Sequence, residues 1–380
     1  MTGHYDAIVV GVGGMGSAAA HHLAARGRRV LGLERYDIPH TMGSSHGINR
    51  IIRMAYFEDS SYVPLLRRAY ELWRELELAS GERLLVITGG VDAAPEDHPV
   101  FTGSLRSCLE HDLEHQVLTG KEVNTRFPGY HLPNDHMAVF QPDGGYVMSE
   151  RCIVAHVTLA QAHGADVRAR EQVVGWEPEG GGVIVVTDRG RYTADRLVVT
   201  AGAWSMGLLG RLTGRLVPER QVLAWFQPIR PELYRPDRFP IFNLEVEAGH
   251  FYGFPVETIP GFKVGLYHHL REAVDPDRMD REPGPADEAP LREFTSTYFP
   301  NAAGPTMTLK TCLFTNSPDE HFIVDLHPEH PQVAVAVGFS GHGFKFSSVV
   351  GEILADLAIE GTTRHDIDLL RWGRPTITGA

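Results

Sequence analysis

The pattern of apolar and polar positions opens on an uninterrupted apolar run, Ala7–Val10, of the kind a parallel strand needs when both of its faces are covered. A glycine cluster follows, then Ser17–Arg26, rich in Ala and Leu and closed by Gly27, which predicts a helix with a glycine stop. Val30–Leu33 is a second short apolar run and completes a right-handed βαβ-type unit. A further helix is predicted from Ser60 or Ser61, with Pro64 in its first turn and Leu65, Ala69, Leu72 and Leu76 on one face. Leu84–Val91 reads as one strand and Leu197–Thr200 as another, leading into AGAW. From Phe226 to Lys310, alternating segments such as HFYGF and GFKVG predict a β-rich region, and residues 272–290, EAVDPDRMDREPGPADEAP, read as an acidic solvated loop. Val333–Val337 enters GFSGHGF as a buried strand. A helix then buries Val350, Leu354 and Leu357 and stops at Gly361. The predicted fold class is α/β: a Rossmann-type domain built from separated segments and interrupted by a β-rich substrate domain.

The glycine cluster carries the first chemistry. Gly11-Val12-Gly13-Gly14-Met15-Gly16 fits G-x-G-x-x-G between a strand and a helix. Its first glycine permits the tight turn, its second lets the backbone approach a pyrophosphate, and its third lets the helix pack on the strand. The phosphates then sit at the positive end of the helix. Glu34 ends the second strand eighteen residues after Gly16, where an acid accepts hydrogen bonds from ribose hydroxyls. This motif predicts a dinucleotide and does not separate NAD from FAD.

Composition narrows the partners. The chain has 380 residues, enough for two domains, with 43% hydrophobic and 22% charged residues. A formal net charge of −13 argues against nucleic acid or an anionic membrane as the main partner, while leaving room for a local positive pocket. Cys108, Cys152 and Cys312 do not suggest a disulfide framework. No apolar run approaches the ~18 residues of a membrane span. Neither the start, MTGHYDAIVVGVGG, nor the end, TITGA, carries a targeting signal, so the cytoplasm is the expected location.

Two longer strings decide the cofactor. His40–Tyr56 (HTMGSSHGINRIIRMAY) and Cys312–His330 (CLFTNSPDEHFIVDLHPEH), continuing to GFSGHGFKFSS (Gly338–Ser348), resemble the monomeric sarcosine oxidase family. That family includes N-methyltryptophan oxidase and pipecolate oxidase. The resemblance runs from the N-terminus to about residue 370 and takes in YGFP (Tyr252–Pro255) and VVTAGAW (Val198–Trp204). It implies an FAD-dependent oxidase, a monomer, that converts N-methyl or cyclic amino acids to imines and passes the electrons to O2, forming H2O2. It implies residues 1–85, 150–215 and 318–380 in the FAD domain, and 86–149 and 216–317 in the substrate domain.

Residue by residue, the resemblance assigns Cys312 to covalent FAD attachment through a thioether to the flavin 8α carbon, chemistry suited to a thiolate. Arg53 and Lys345 are implied for the substrate carboxylate, and His46 and Arg50 for the border of the flavin ring. Gly341, His342, Gly343 and Lys345 form a turn before a helix whose N–H groups would face the flavin pyrimidine. Arg35, Ser44, Val173 and Gly202 complete the cofactor contacts. Lys263 resembles the lysine that promotes reaction with oxygen. The family usually places a histidine four residues after it, where this chain has Tyr267 and then His268. A bulge returning His268 to the pocket is the expected solution, with replacement by Tyr267 the alternative. Tyr252 is retained in the pocket, whereas Phe314 stands where sarcosine oxidase has a tyrosine and Asn243 where it has a methionine.

Some signals lead elsewhere. His111–His115 fits H-x-x-E-H but lies in a polar stretch without a third ligand, so a solvated helix face is expected and no metal. His21 and His22 are adjacent on a helix and should diverge. The HPEH string at 327–330 should be a turn. Two other functions fit the glycine motif: an NAD-dependent dehydrogenase, colourless and inert to oxygen, and a non-catalytic dinucleotide-binding protein that makes no peroxide.

Overall fold

A computed structural model describes residues 3–212, 214–257 and 261–379. Strand β1 (His4–Val10) leads through the glycine turn into helix α1 (Gly14–Ala25) and strand β2 (Val30–Leu33). The helix starts three residues earlier than its apolar pattern suggests, because Gly14, against the Phe344 ring, and Gly16, against Gly11, form its first turn. β1 pairs in parallel with β2 on one side and with Arg191–Val199 on the other. The far half of that long strand pairs in parallel with His330–Val337, and its near half pairs antiparallel with Gly182–Thr187. Asp166–Arg168 closes the sheet beside β2. The apolar runs at 7–10, 30–33 and 333–337 are buried, as strands covered on both faces must be.

The helix Val63–Ser80 carries Leu65, Ala69, Leu72 and Leu76 inward and ends on Gly81 in the left-handed region. Helix Ser347–Glu360 ends the same way on Gly361. The predicted strand Leu84–Val91 divides instead. Leu85–Ile87 joins a small sheet with Arg50–Ile52 and Gly145–Val147, and Gly90–Ala94 joins a second large sheet. A Thr88-Gly89 turn makes the break, with Gly89 at φ 77°.

That second sheet has eight strands in the order 306–316, 217–226, 262–266, 249–254, 241–246, 90–94, 137–141, 116–119. Side-chain alternation gives it two unlike faces. Phe242, Phe251, Phe262, Val264, Ala224 and Phe226 point to one side and pack with Leu291 and Phe294 of helix Pro285–Tyr298. The ring of Phe251 stacks on Phe294 at 3.8 Å. The opposite face carries the polar residues discussed below.

Two expected loops differ. Residues 272–290 are not a free solvated segment: Arg281 donates to Met42 O (2.9 Å), Asp277 pairs with Arg35 (2.7 Å), and the helix beginning at Pro285 takes its last residues. Residues 111–115 are not helical, since the helix before them ends at Glu110. The HPEH string is the turn between Ile323–His327 and His330–Val337. His21 and His22 do not diverge; their rings lie 5.4 Å apart, beside His156. Among the described residues, no helix is long and apolar enough to cross a membrane, and no cluster of three or more His, Cys, Asp or Glu could hold a metal.

Candidate active site

One continuous cleft runs from the glycine turn to the second sheet. Gly11, Gly13, Glu34, Arg35, Ser44, Val173 and Gly202 line its first part, and Arg53, Asn243, Tyr252, Cys312, Phe314, Gly341, His342, Gly343 and Lys345 the second. Gly11 adopts φ 85°, and a Cβ there would meet Thr200 O at 2.7 Å, so only glycine makes this turn. Gly13 faces open space, with nothing nearer to a built Cβ than Ser45 Oγ at 3.7 Å. Gly16 packs against Gly11, and α1 begins at Gly14 without a side-chain cap. Gly14 N donates to Ser45 Oγ (3.3 Å), and the helix N-terminus beside it lines the cleft, the arrangement a pyrophosphate requires. Glu34 accepts from Val12 N (2.8 Å) and Tyr36 N (3.0 Å), so it braces the turn while lining the cleft.

Strand register gathers the rest. Asp92 lies opposite Asn243, Asn243 opposite Tyr252, Tyr252 opposite Gly265 and Gly265 opposite Leu223, so these positions share one sheet face. Period-two spacing adds His250, Lys263 and Tyr267 to it, and on the strand 306–316 Cys312 and Phe314 follow the same alternation. Across the cleft, Gly341 (φ 81°) brings its turn so close that a Cβ would touch the Phe314 ring at 2.4 Å.

Lysine 263 is fully buried, and its ammonium donates to Gly47 O (2.7 Å), Asn49 O (2.8 Å) and Asn49 Oδ1 (2.8 Å). Burial, then Arg50, holds it well below the usual lysine range. His46 is buried as well; burial and Arg50 pull it down to about 3, and its Nε2 has no hydrogen-bond partner. Neither residue is among those lining the cleft, whereas Arg50 is. Arg50 donates to Ser44 O (2.8 Å) and reaches Cys312 Sγ at 3.5 Å.

Arg53 and Lys345 both line the cleft and are both buried. Arg53 donates to Ala55 O (2.5 Å) and Glu58 (2.7 Å), lies 3.9 Å from Asp92, and stacks over Phe57. Burial opposes its charge, but Glu58 and Asp92 outweigh that and hold it firmly cationic. Lys345 donates to His342 O (2.7 Å), and burial followed by Arg53 pulls it down to about 7. His342 spends its ring nitrogens on Tyr56 and Glu320 O, which fixes the turn.

The expected bulge is absent. Strand 262–266 pairs in unbroken register with both neighbours, so Tyr267 faces the cleft and bonds Ser340 O. His268 turns away at φ 55° and bridges Glu219 (3.0 Å) and Glu320 (3.1 Å). Sequence reasoning also missed Glu58, Asp92 and His250. Asp92 and His250 carry one signal, a polar residue among apolar or glycine neighbours, as in GVDAA and GHFYGF; Glu58, in YFEDSS, carries none.

The donor set fits a flavin dinucleotide: a pyrophosphate cradle at one end and, at the other, a cysteine beside a guanidinium, with buried cations beyond. It defines an FAD-dependent oxidoreductase. Residues 6–357 match the family of that description, DAO: FAD dependent oxidoreductase, and the chain belongs to it. It is 45% identical to monomeric sarcosine oxidase from Streptomyces avermitilis, over 97% of each chain. It is 34% identical to N-methyl-L-tryptophan oxidase from Salmonella dublin, over 97% of this chain and 99% of that one. The fold is similar to that of NikD, an amino acid oxidase of nikkomycin biosynthesis, with TM-score 0.84, 28% identity, and coverage of 97% and 98%.

Proposed function

We propose that the protein oxidises N-methyl or cyclic α-amino acids to imines, with O2 as the electron acceptor. The observation that carries this reading is the pair Arg53 and Lys345, two buried cations lining the same cleft as Cys312. When bound, FAD accepts the electron pair of the substrate C–H bond and returns it to O2, giving H2O2. Arg53 and Lys345 take the substrate carboxylate, Arg53 through its planar fork and Lys345 as a point charge. Tyr252, Asn243 and Phe314 shape the space around the amine, which loses a hydride equivalent from carbon and a proton from nitrogen as C=N forms. Arg50 borders the flavin ring, and His46 lies buried beside Arg50 but off the cleft lining. Lys263, on the same sheet face as Tyr252 and hydrogen-bonded to the Gly47 and Asn49 carbonyls, would promote the reaction with oxygen.

Covalent attachment at Cys312 belongs to the same reading. Cys312, which lines the cleft, would hold FAD by a thioether from Sγ to the flavin 8α carbon. Arg50 lies 3.5 Å from Sγ, at the edge of the cleft where the flavin would sit. Gly11, Gly13, Gly16, Glu34, Arg35, Ser44, Val173, Gly202, Gly341, His342 and Gly343 hold the cofactor. The division into an FAD domain (1–85, 150–215, 318–380) and a substrate domain (86–149, 216–317) is supported by the two large sheets, which draw on those segments. A cytoplasmic location accords with three unpaired cysteines, and a monomer with the chain's similarity to monomeric sarcosine oxidase.

The test is direct. Acid-denatured protein should retain yellow flavin, Cys312→Ala should release it, and a peroxide-coupled assay should respond to sarcosine, N-methyltryptophan, pipecolate or proline. Peroxide from none of the four would sink the oxidase reading.

A further inference from the structure

His250 lies in the wall of the cleft, on the Gly249–Phe254 strand two residues before Tyr252, and its Nε2 is buried without a hydrogen-bond partner. Burial pulls its pKa down to about 4, so the ring is neutral and offers one donor and one acceptor. Its ring lies 5.4 Å from Phe57 and 5.4 Å from Tyr267, which hold it without bonding its nitrogens. Nearby groups of the wall are already satisfied. Asn243 donates to Asp92 (2.7 Å), and Tyr267 is committed to Ser340 O. A buried polar atom left unmatched costs ~1–3 kcal/mol, a cost that a ligand group placed there would recover.

Charge selects the kind of group. Arg53 and Lys345 face Glu58 and Asp92, two cations against two acids, so a substrate carboxylate already tips this buried set to net negative. A second anionic group would add repulsion in a low-dielectric site, and a cation would compete with Arg53 for Glu58. We propose that His250 caps a side-chain subsite for a neutral hydrogen-bonding group, such as a carboxamide or hydroxyl, so that the substrates are N-methyl amino acids bearing such a side chain. This rests on the amino acid oxidase reading for the substrate's identity, although the subsite can be tested without turnover.

Succinamate and 4-methylpentanoate have one shape and one carboxylate, differ in ending in a carboxamide or an isopropyl group, and contain no amine to oxidise. Titration calorimetry on the flavin-loaded protein should show succinamate binding about ten-fold more tightly, the worth of one hydrogen bond to a buried group. In His250→Leu the ratio should fall to about one, and in His250→Gln, which keeps hydrogen-bonding atoms, much of it should remain. Equal or weaker binding of succinamate to the native protein overturns the subsite without reference to any variant. A preference that survives His250→Leu removes His250 from it. If the preference holds while no N-methyl amino acid yields peroxide, the subsite stands and the oxidase reading falls.

Discussion

At the scale of single residues, Lys345 sets a pH limit on binding. With its pKa at about 7, the side chain is charged below that pH and loses its charge above it. Affinity for a simple carboxylate should therefore weaken as pH rises through 7, because only the charged form attracts the anion. Lys345→Arg keeps the charge over the whole range, so its binding curve should lack that step. Lys345→Met should weaken carboxylate binding by about ten- to a hundred-fold, the worth of a charged hydrogen bond at a buried site. Inhibitor titrations at several pH values check all three outcomes, and a native protein with no step near 7 would refute the assignment. That Cys312, Arg53 and Lys345 would line one cleft was legible at this scale because they sit in long, unusual strings. Glu58 and Asp92 were not, since which acid neutralises a buried cation depends on which strands lie side by side.

At the scale of elements, the turn after strand 262–266 shows where sequence reading ran out. A strand's alternation says that Tyr267 shares a face with Lys263, but a bulge would reverse that, and only the pairing with strands 217–226 and 249–254 decides it. Regular register won, and His268 was left to pin the turn. Burial lowers its pKa, but Glu320 and Glu219 outweigh burial and raise it. A raised histidine contributes stability that is fully present below its unfolded value near 6.5 and is lost as pH rises through the folded value. His268→Gln should thus cost about 1 kcal/mol at pH 5.5, with the difference from native shrinking toward pH 9. Thermal melts across that range measure it; a constant difference would mean that packing, not charge, is what His268 supplies. Across the cleft, Gly341→Ala faces both a left-handed backbone and the Phe314 ring, and should cost about 1–3 kcal/mol and lower flavin retention.

At the scale of the molecule, the parallel sheet was legible because its strands are continuous apolar runs, and the polar sheet face because its residues alternate. Segment 272–290 was misread for a physical reason: acidic, proline-rich composition describes a chain that cannot build its own core, and says nothing of anchors supplied from elsewhere. The anchors here come from both large parts of the protein. Asp277 pairs with Arg35, which follows β2, and accepts from Trp204 Nε1 (2.9 Å). Arg281 donates to Met42 O and to Pro276 O (3.0 Å), and its own carbonyl accepts from Thr311, next to Cys312. The segment is therefore a strap over the cleft wall with little apolar burial, held further by buried Arg220, which donates to Asp280 O (2.9 Å) and pairs with Asp287 (2.6 Å). Regions held that way open locally at small free-energy cost. Arg281→Ala removes two side-chain bonds and should lower the opening cost by about 1–3 kcal/mol. Limited trypsin digestion should then cut at Arg278 several-fold faster than in the native chain, while the melting temperature, governed by the two cores, barely moves. If cleavage at Arg278 is unchanged, the Arg281 contacts do not hold the strap, and its order comes from the Asp277 pair and the Arg220 bonds to Asp280 O and Asp287.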